Sequence, residues 1–398
     1  MKIIFILLIF GMAFVPFTSL RFGPLGLGEF IILLVFFILI LTSNIRKKNL
    51  RQSLPFLIFW CFFLIFSLIG LGINAFNFSL ESGRDGTSFF DFFSYVFILV
   101  TVVTLSRFAD FSYYRGSLLF ERIFDVWAFT YVVLFILSFF VGSLFGFSIK
   151  YHDYYSPLVD NVHQAASVIC VLGFLMLYRA FYSEAYGIAR VFFAITGVLL
   201  FLMAFNTGAT KAALAVIVGL FSSAVFFILS LVNSKYRRPF YIIVVSFCSI
   251  FLFFLYSMYE DILEQILVAA FVEADGGGAR ANLYSNSIEH FKESPLFGYG
   301  PGSHAPYANG FSDAHNTFLT ILLQSGAFGG LLILLFLTYL FSRATLNFIL
   351  VGALASACIY FLGGDILRRL PTWVMMLGIY YFSIQRHNTI MSKKYNQF

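Results

Sequence analysis

RANLYSNSIEHFKESPLFGYGPGSH, residues 280–304, is polar and turn-rich, and DAHNTFLTILLQSGAFGG, residues 313–330, carries the chain out of it into an apolar run. The second passage decides the fold. From His315 to Phe341 there is no Asp, Glu, Lys or Arg. An apolar run of about 20 residues crosses the hydrocarbon core as a helix, and only helices or closed barrels satisfy their backbone there. The run is continuous, without the two-residue alternation of a barrel strand, so it predicts a spanning helix.

The same texture extends in both directions. Of 398 residues, 60% are hydrophobic and 11% charged, a composition that excludes an ordinary soluble domain. Apolar runs set against charged interruptions predict about twelve spans: 3–19, 25–43, 54–74, 89–106, 123–147, 161–180, 188–205, 211–232, 240–258, 315–341, 345–363 and 371–385. The fold class is therefore all-α, a polytopic membrane protein in three parts. Residues 1–258 hold spans one to nine, 259–314 form one long extracytoplasmic connection, and 315–398 hold the last three spans and a tail. The apolar start MKIIFILLIFGMAFVPF is read as a first, retained helix. The 56 Phe, against 3 Trp, are spread through the spans as lipid-facing and interhelical filler. Cys61, Cys170, Cys248 and Cys358 lie in apolar runs with no paired spacing, which suggests neither disulfides nor a thiolate metal site.

Charge orients the bundle. Arg46, Lys47, Lys48, Arg51, Arg107, Arg122, Arg179, Lys235 and Arg343 fall on one side if spans alternate; that side holds roughly two thirds of all Lys and Arg, these included, which makes it cytoplasmic. Both termini then lie inside. The connection from Tyr259 to Asp313 lies outside, and its length marks it as functional. Within it, 261–274 has helical apolar spacing suited to the interface, and 280–292 predicts a second short helix stopped by Ser294-Pro295.

Basic residues on the outer side run against this bias, and each asks for a reason. Lys211 opens a span after a Gly-containing turn, where free N–H groups and the helix dipole favour an anion; alternatively it is a snorkelling lysine. Arg280 offers the paired donors that suit a diphosphate, or is a solvated loop charge. GYGPG, with Gly298 and Gly300, allows close backbone approach to a ligand, or is a plain connector. His315-Asn316 opens the tenth span; the imidazole can donate to phosphate or accept a hydroxyl proton, or the pair simply caps the helix. Asp313 is itself an acceptable cap. Arg368-Arg369 in GGDILRRLP is a second anion contact or a charged turn. A metal site from His304, Asp313 and His315 lacks a recognisable spacing and is not favoured.

Taken in order, these elements resemble the O-antigen ligase and polymerase superfamily of bacterial surface-polysaccharide assembly. The resemblance rests on Gly-Ala-Thr-Lys at 208–211, Arg280 with Tyr284 four residues on, Pro295 to Gly300, His315-Asn316 and Gly326 to Gly329. The family usually has Ser-Arg where this chain has Thr210-Lys211, and Trp where it has Tyr284. Lysine keeps the charge but loses the bidentate fork.

The resemblance implies a glycosyltransferase with an undecaprenyl-diphosphate-linked glycan as donor, at the outer face of the bacterial inner membrane. It implies Arg280 and His315 as catalytic residues, and Lys211, Tyr284, Gly298, Gly300, His304, Asn316 and Arg368 as substrate contacts. No metal, cofactor or nucleic-acid partner is expected: there is no phosphate loop or Rossmann fingerprint, and the bond energy is already in the lipid-linked donor. A chain-length regulator is a further implied partner. The reading leans to a repeat-unit polymerase for O-antigen or capsule, with a ligase acting on lipid A core as the alternative. A lipid-linked glycan flippase or other transporter is the competing class, but no repeated halves with ionisable residues at mid-membrane are found.

Overall fold

The structure, a computed structural model, describes residues 2–22, 25–42, 50–74, 87–111, 117–144, 146–151, 153–159, 161–182, 187–231, 279–307, 310–345 and 347–395. The predicted span 240–258 and the predicted interfacial helix 261–274 lie outside them.

The described helices are α1 (Lys2–Phe14), α2 (Leu27–Leu41), α3 (Leu54–Asn74), α4 (Thr87–Phe111), α5 (Ser117–Ser138), α6 (Val162–Tyr182), α7 (Gly187–Asn206) and α8 (Thr210–Leu231). They continue with α9 (Ala279–Glu293), α10 (Thr317–Ala344), α11 (Phe348–Gly363) and α12 (Leu370–Tyr395). Six of them are long and apolar enough to cross a membrane, and α1, α2 and α11 are shorter apolar helices. The chain is a mostly helical, multi-pass membrane protein. In α6, 83% of the most apolar window is buried within the protein, against 28% in α8, so α6 is central and α8 peripheral. On α7 the exposed Val191, Ile195, Val198, Leu202 and Phe205 recur at helical spacing, a stripe suited to lipid.

Aromatic side chains fill the space between α3, α4, α10 and α12. Trp60 and Trp373 meet edge to face at 4.5 Å, and Phe59 stacks on Phe336 at 4.9 Å. Trp127 donates its Nε1 hydrogen to the Met12 carbonyl (2.6 Å), tying α5 to α1. Where α8 crosses α11, glycine on both sides brings the backbones together: a Cβ on Gly352 would lie 2.6 Å from the Gly219 carbonyl oxygen.

Two predicted spans are corrected. The span 123–147 is shorter at its far end, because α5 stops at Ser138 and two antiparallel hairpins follow, β3 (Ser143–Leu144) with β4 (Phe147–Ser148) and β5 (Lys150–Tyr151) with β6 (Tyr154–Tyr155). Gly146, at φ 84°, supplies the turn of the first. Two further short hairpins pair β1 (Arg21–Phe22) with β2 (Leu25–Gly26) and β7 (Ala305–Tyr307) with β8 (Gly310–Ser312). The span 315–341 is not one continuous helix: Gly326, at φ 64° and ψ −161°, breaks α10. Residues 295–300 fill the break. Ala327 and Phe328 donate their N–H groups to the Pro295 and Leu296 carbonyls (2.8 and 3.3 Å), while the Leu323 and Gln324 carbonyls accept from Tyr299 and Gly300 (2.7 and 3.1 Å). An interrupted membrane helix is tolerated when other protein atoms satisfy the freed backbone groups.

Candidate functional site

A cavity of about 300 Å³ opens where the N-terminal ends of four helices meet. Asn161, His163 and Gln164 come from the start of α6, Lys211 from the start of α8, His315 from just before α10, and Arg369 from just before α12. The C-terminal end of α11, with Tyr360 and Gly363, and the turn Gly364–Arg369 close the remaining wall. The positive ends of four helix macrodipoles favour an anion in this space, although Asn161 Oδ1 already accepts from His163 N at the start of α6.

The turn is held at both sides. Thr317 donates its hydroxyl to the Gly364 carbonyl (2.7 Å) and accepts from the Ile366 N–H (3.0 Å), and Asn316 Nδ2 donates to the Leu362 carbonyl (2.8 Å). Lys211, only 4% exposed, donates from Nζ to the Gly363 carbonyl. Trp373 Nε1 donates to Leu367 from below (2.8 Å).

Arg368 sits among three carboxylates: Asp91 (2.8 Å), Asp313 (3.2 Å) and Asp365 (3.7 Å). Asp91, 1% exposed on α4, also accepts from Gln324 Nε2 (3.1 Å), whose Oε1 accepts from the Tyr95 hydroxyl (2.6 Å). The far oxygen of Asp313 lies 2.9 Å from His304 Nδ1. A continuous polar chain therefore runs from Tyr95 inside the bundle to His304 in the connection between α9 and α10, through Gln324, Asp91, Arg368 and Asp313. The hydrogen bond from His304 holds the Asp313 carboxyl well below the usual carboxylate range, helped by the charges of Arg368 and His315 and opposed by burial. Asp365 moves the other way: burial raises it, with Arg368 only partly compensating.

His315 is one of two non-glycine residues with positive φ among the described residues, at 50°. That left-handed conformation costs of order 1 kcal/mol or more and turns the chain so that the residue lines the cavity while Asn316 starts α10. Asn316 is the cap, its Oδ1 accepting from Phe318 N (2.9 Å) and Leu319 N (3.2 Å). This corrects the reading of Asp313 as cap: its carboxylate is taken by Arg368 and His304. The expected substrate contact from Asn316 also finds both of its polar atoms engaged in structure.

The other predicted residues are distributed around this centre. Tyr284 donates its hydroxyl to the His315 carbonyl (3.5 Å), bracing the strained residue from α9. His304 reaches the cavity only through Asp313. Gly298 and Gly300, at φ 66° and 96°, belong to the segment that fills the α10 break and are not in the cavity wall. Arg280 lies in the first turn of α9, and its side chain is outside the described residues. Sequence reasoning passed over Asp91, Gln324 and Tyr95, although an acid near the start of one apolar run and an amide inside another were signals in plain view. It also passed over Asn161, His163 and Gln164, a polar helix start in DNVHQAA.

Fold and site together define a multi-pass helical membrane protein with a cationic cavity at one end of the bundle. Residues 195–334 match the family model described as O-Antigen ligase, which bears out the resemblance to the O-antigen ligase and polymerase superfamily and supports a glycosyltransferase-like function of that type. The matched segment contains Lys211, Arg280, the 295–300 segment, His315 and the break in α10; Asp91, Asp365, Arg368 and Arg369 lie outside it. No curated protein matches the chain.

Proposed function

We propose that this protein is a repeat-unit polymerase for O-antigen or capsule. It transfers a glycan from undecaprenyl diphosphate onto a second lipid-linked repeat unit at the outer face of the bacterial inner membrane. The observation that carries this reading is the meeting of Lys211, His315 and the Arg368–Arg369 turn in one cavity beside the matched family segment. The acceptor hydroxyl oxygen forms a new bond to the anomeric carbon of the donor while the bond from that carbon to the diphosphate oxygen breaks. The electron pair leaves with the lipid diphosphate, and the hydroxyl proton passes to a base, for which His315 is the candidate.

Negative charge grows on the departing diphosphate, and cations fixed in a partly desolvated cavity stabilise it without reorganising. Lys211 and the arginine turn fill that role, with Arg280 as a further contact from α9. The positive-inside charge pattern supports an outward-facing cavity, on the side where this reading joins lipid-linked glycans. A chain-length regulator is the protein partner this reading calls for.

The family model's own description, O-Antigen ligase, carries the second reading, in which the finished chain goes to lipid A core. Surface glycolipid from a deletion strain, run on a gel after complementation with wild type or His315→Ala, separates the two. Core bearing a single repeat, restored to a ladder by wild type alone, supports the polymerase. Bare core moves the assignment to ligase, and a normal ladder in the deletion strain removes both.

A further inference from the structure

The two arginines of the GGDILRRLP turn are not equivalent. Arg368 is matched by Asp91, Asp313 and Asp365 and bridges α4 to the outer loop. Arg369 lines the same cavity and is half-buried; its backbone is bonded to Ile366 and Thr372, but its guanidinium makes no hydrogen bond or ion pair among the described residues. The charges that act on it include Arg368 and Arg21, both of its own sign, with Asp365 and Asp313 opposing. Burial and the neighbouring Arg368 both disfavour its charged form, yet a guanidinium does not give up its proton in a protein. A partly desolvated cation beside two others is costly unless an anion joins them.

We propose that Arg369, and not Arg368, is the residue of this turn that binds the diphosphate of the lipid-linked substrate, while Arg368 is a positioning residue that fixes the turn through Asp91. The inference rests on the proposed function and names the group that recognises its leaving group. The space in front of Arg369 also receives Lys211 and the helix starts of α6, α8 and α10, so a diphosphate there meets both helix dipoles and cationic side chains. The paired donors of Arg369 suit two phosphate oxygens at once. Arg368 has no such freedom, because its two terminal nitrogens already contact carboxylates.

The test is titration of the full-length protein in lipid nanodiscs with undecaprenyl diphosphate and with uncharged undecaprenol, alongside thermal melting. Arg369→Gln is expected to weaken diphosphate binding by about 10- to 100-fold, to leave undecaprenol binding unchanged, and to keep the wild-type Tm. Arg369→Lys, which retains charge without the fork, falls between, and it reads the site should the glutamine variant fail to fold. Arg368→Lys shows the opposite signature, a lowered Tm with a smaller loss of diphosphate preference. Diphosphate binding by a folded Arg369→Gln within twofold of wild type would overturn the assignment and leave the proposed function standing. A wild-type protein that binds undecaprenol as tightly as the diphosphate would overturn both.

Discussion

The segment 295–300 with the break at Gly326, and the turn 363–369 with the start of α8, are both rich in glycine and both join distant elements, but they do different work. The first is a backbone joint: its contacts are N–H to carbonyl, and its glycines are where two chains pass without room for a side chain. The second is an electrostatic joint, built from Lys211, Arg368, Asp91, Asp313 and Asp365. Conspicuous motif glycines therefore mark architecture here. The charge that faces the cavity comes from positions scattered along the chain.

The sharpest test of that division is His315→Ala, which removes the candidate base while leaving both joints intact. Glycan transfer in vitro should fall about 10²- to 10⁴-fold with little change in Tm; equal losses of both would mean that His315 only shapes the loop. Asp91→Ala attacks the electrostatic joint. It strips a buried partner from Arg368, and breaking such a pair costs about 3–5 kcal/mol, visible as a reduced melting temperature in nanodiscs. Gly326→Val attacks the backbone joint, since its Cβ would overlap the Leu296 carbonyl carbon in a conformation only glycine adopts readily. The expected loss is about 2–4 kcal/mol, and a variant as stable as wild type would show that the break is not needed.

A smaller effect concerns pH. The Asp313 carboxyl is depressed in the folded state, so its contribution is fully present above the unfolded value of about 3.9 and is lost as pH falls through the folded value. Asp313→Asn should flatten the fall of Tm below about pH 4, and parallel profiles for the two proteins would remove Asp313 from the joint. Lys211→Arg is the mildest change: it keeps the charge and should leave transfer within about threefold of wild type.

Much of the site was legible because a charge in a membrane protein has few reasons to be where it is. Lys211, His315 and Arg368 stood out as polar residues next to apolar runs, and all three line the cavity. Gly298 and Gly300 were legible as points of close approach, but glycine does not say to what; the near neighbours in the fold are α10 for Gly298 and Leu71 of α3 for Gly300. Arg369 looked like a duplicate of its neighbour, since no local pattern tells which of two adjacent arginines meets the carboxylates. Asp91 and Gln324 were passed over because their partners lie more than two hundred positions away.

The sequence by itself determined the solvent. Along continuous apolar runs of bilayer length, the helix is the backbone's way to satisfy its own polar groups. Only the tertiary structure decided where α10 breaks, which segment fills the break, and which arginine is neutralised. Those outcomes depend on which backbone groups and carboxylates arrive at the same few ångströms, and hydropathy and spacing carry no information about that meeting.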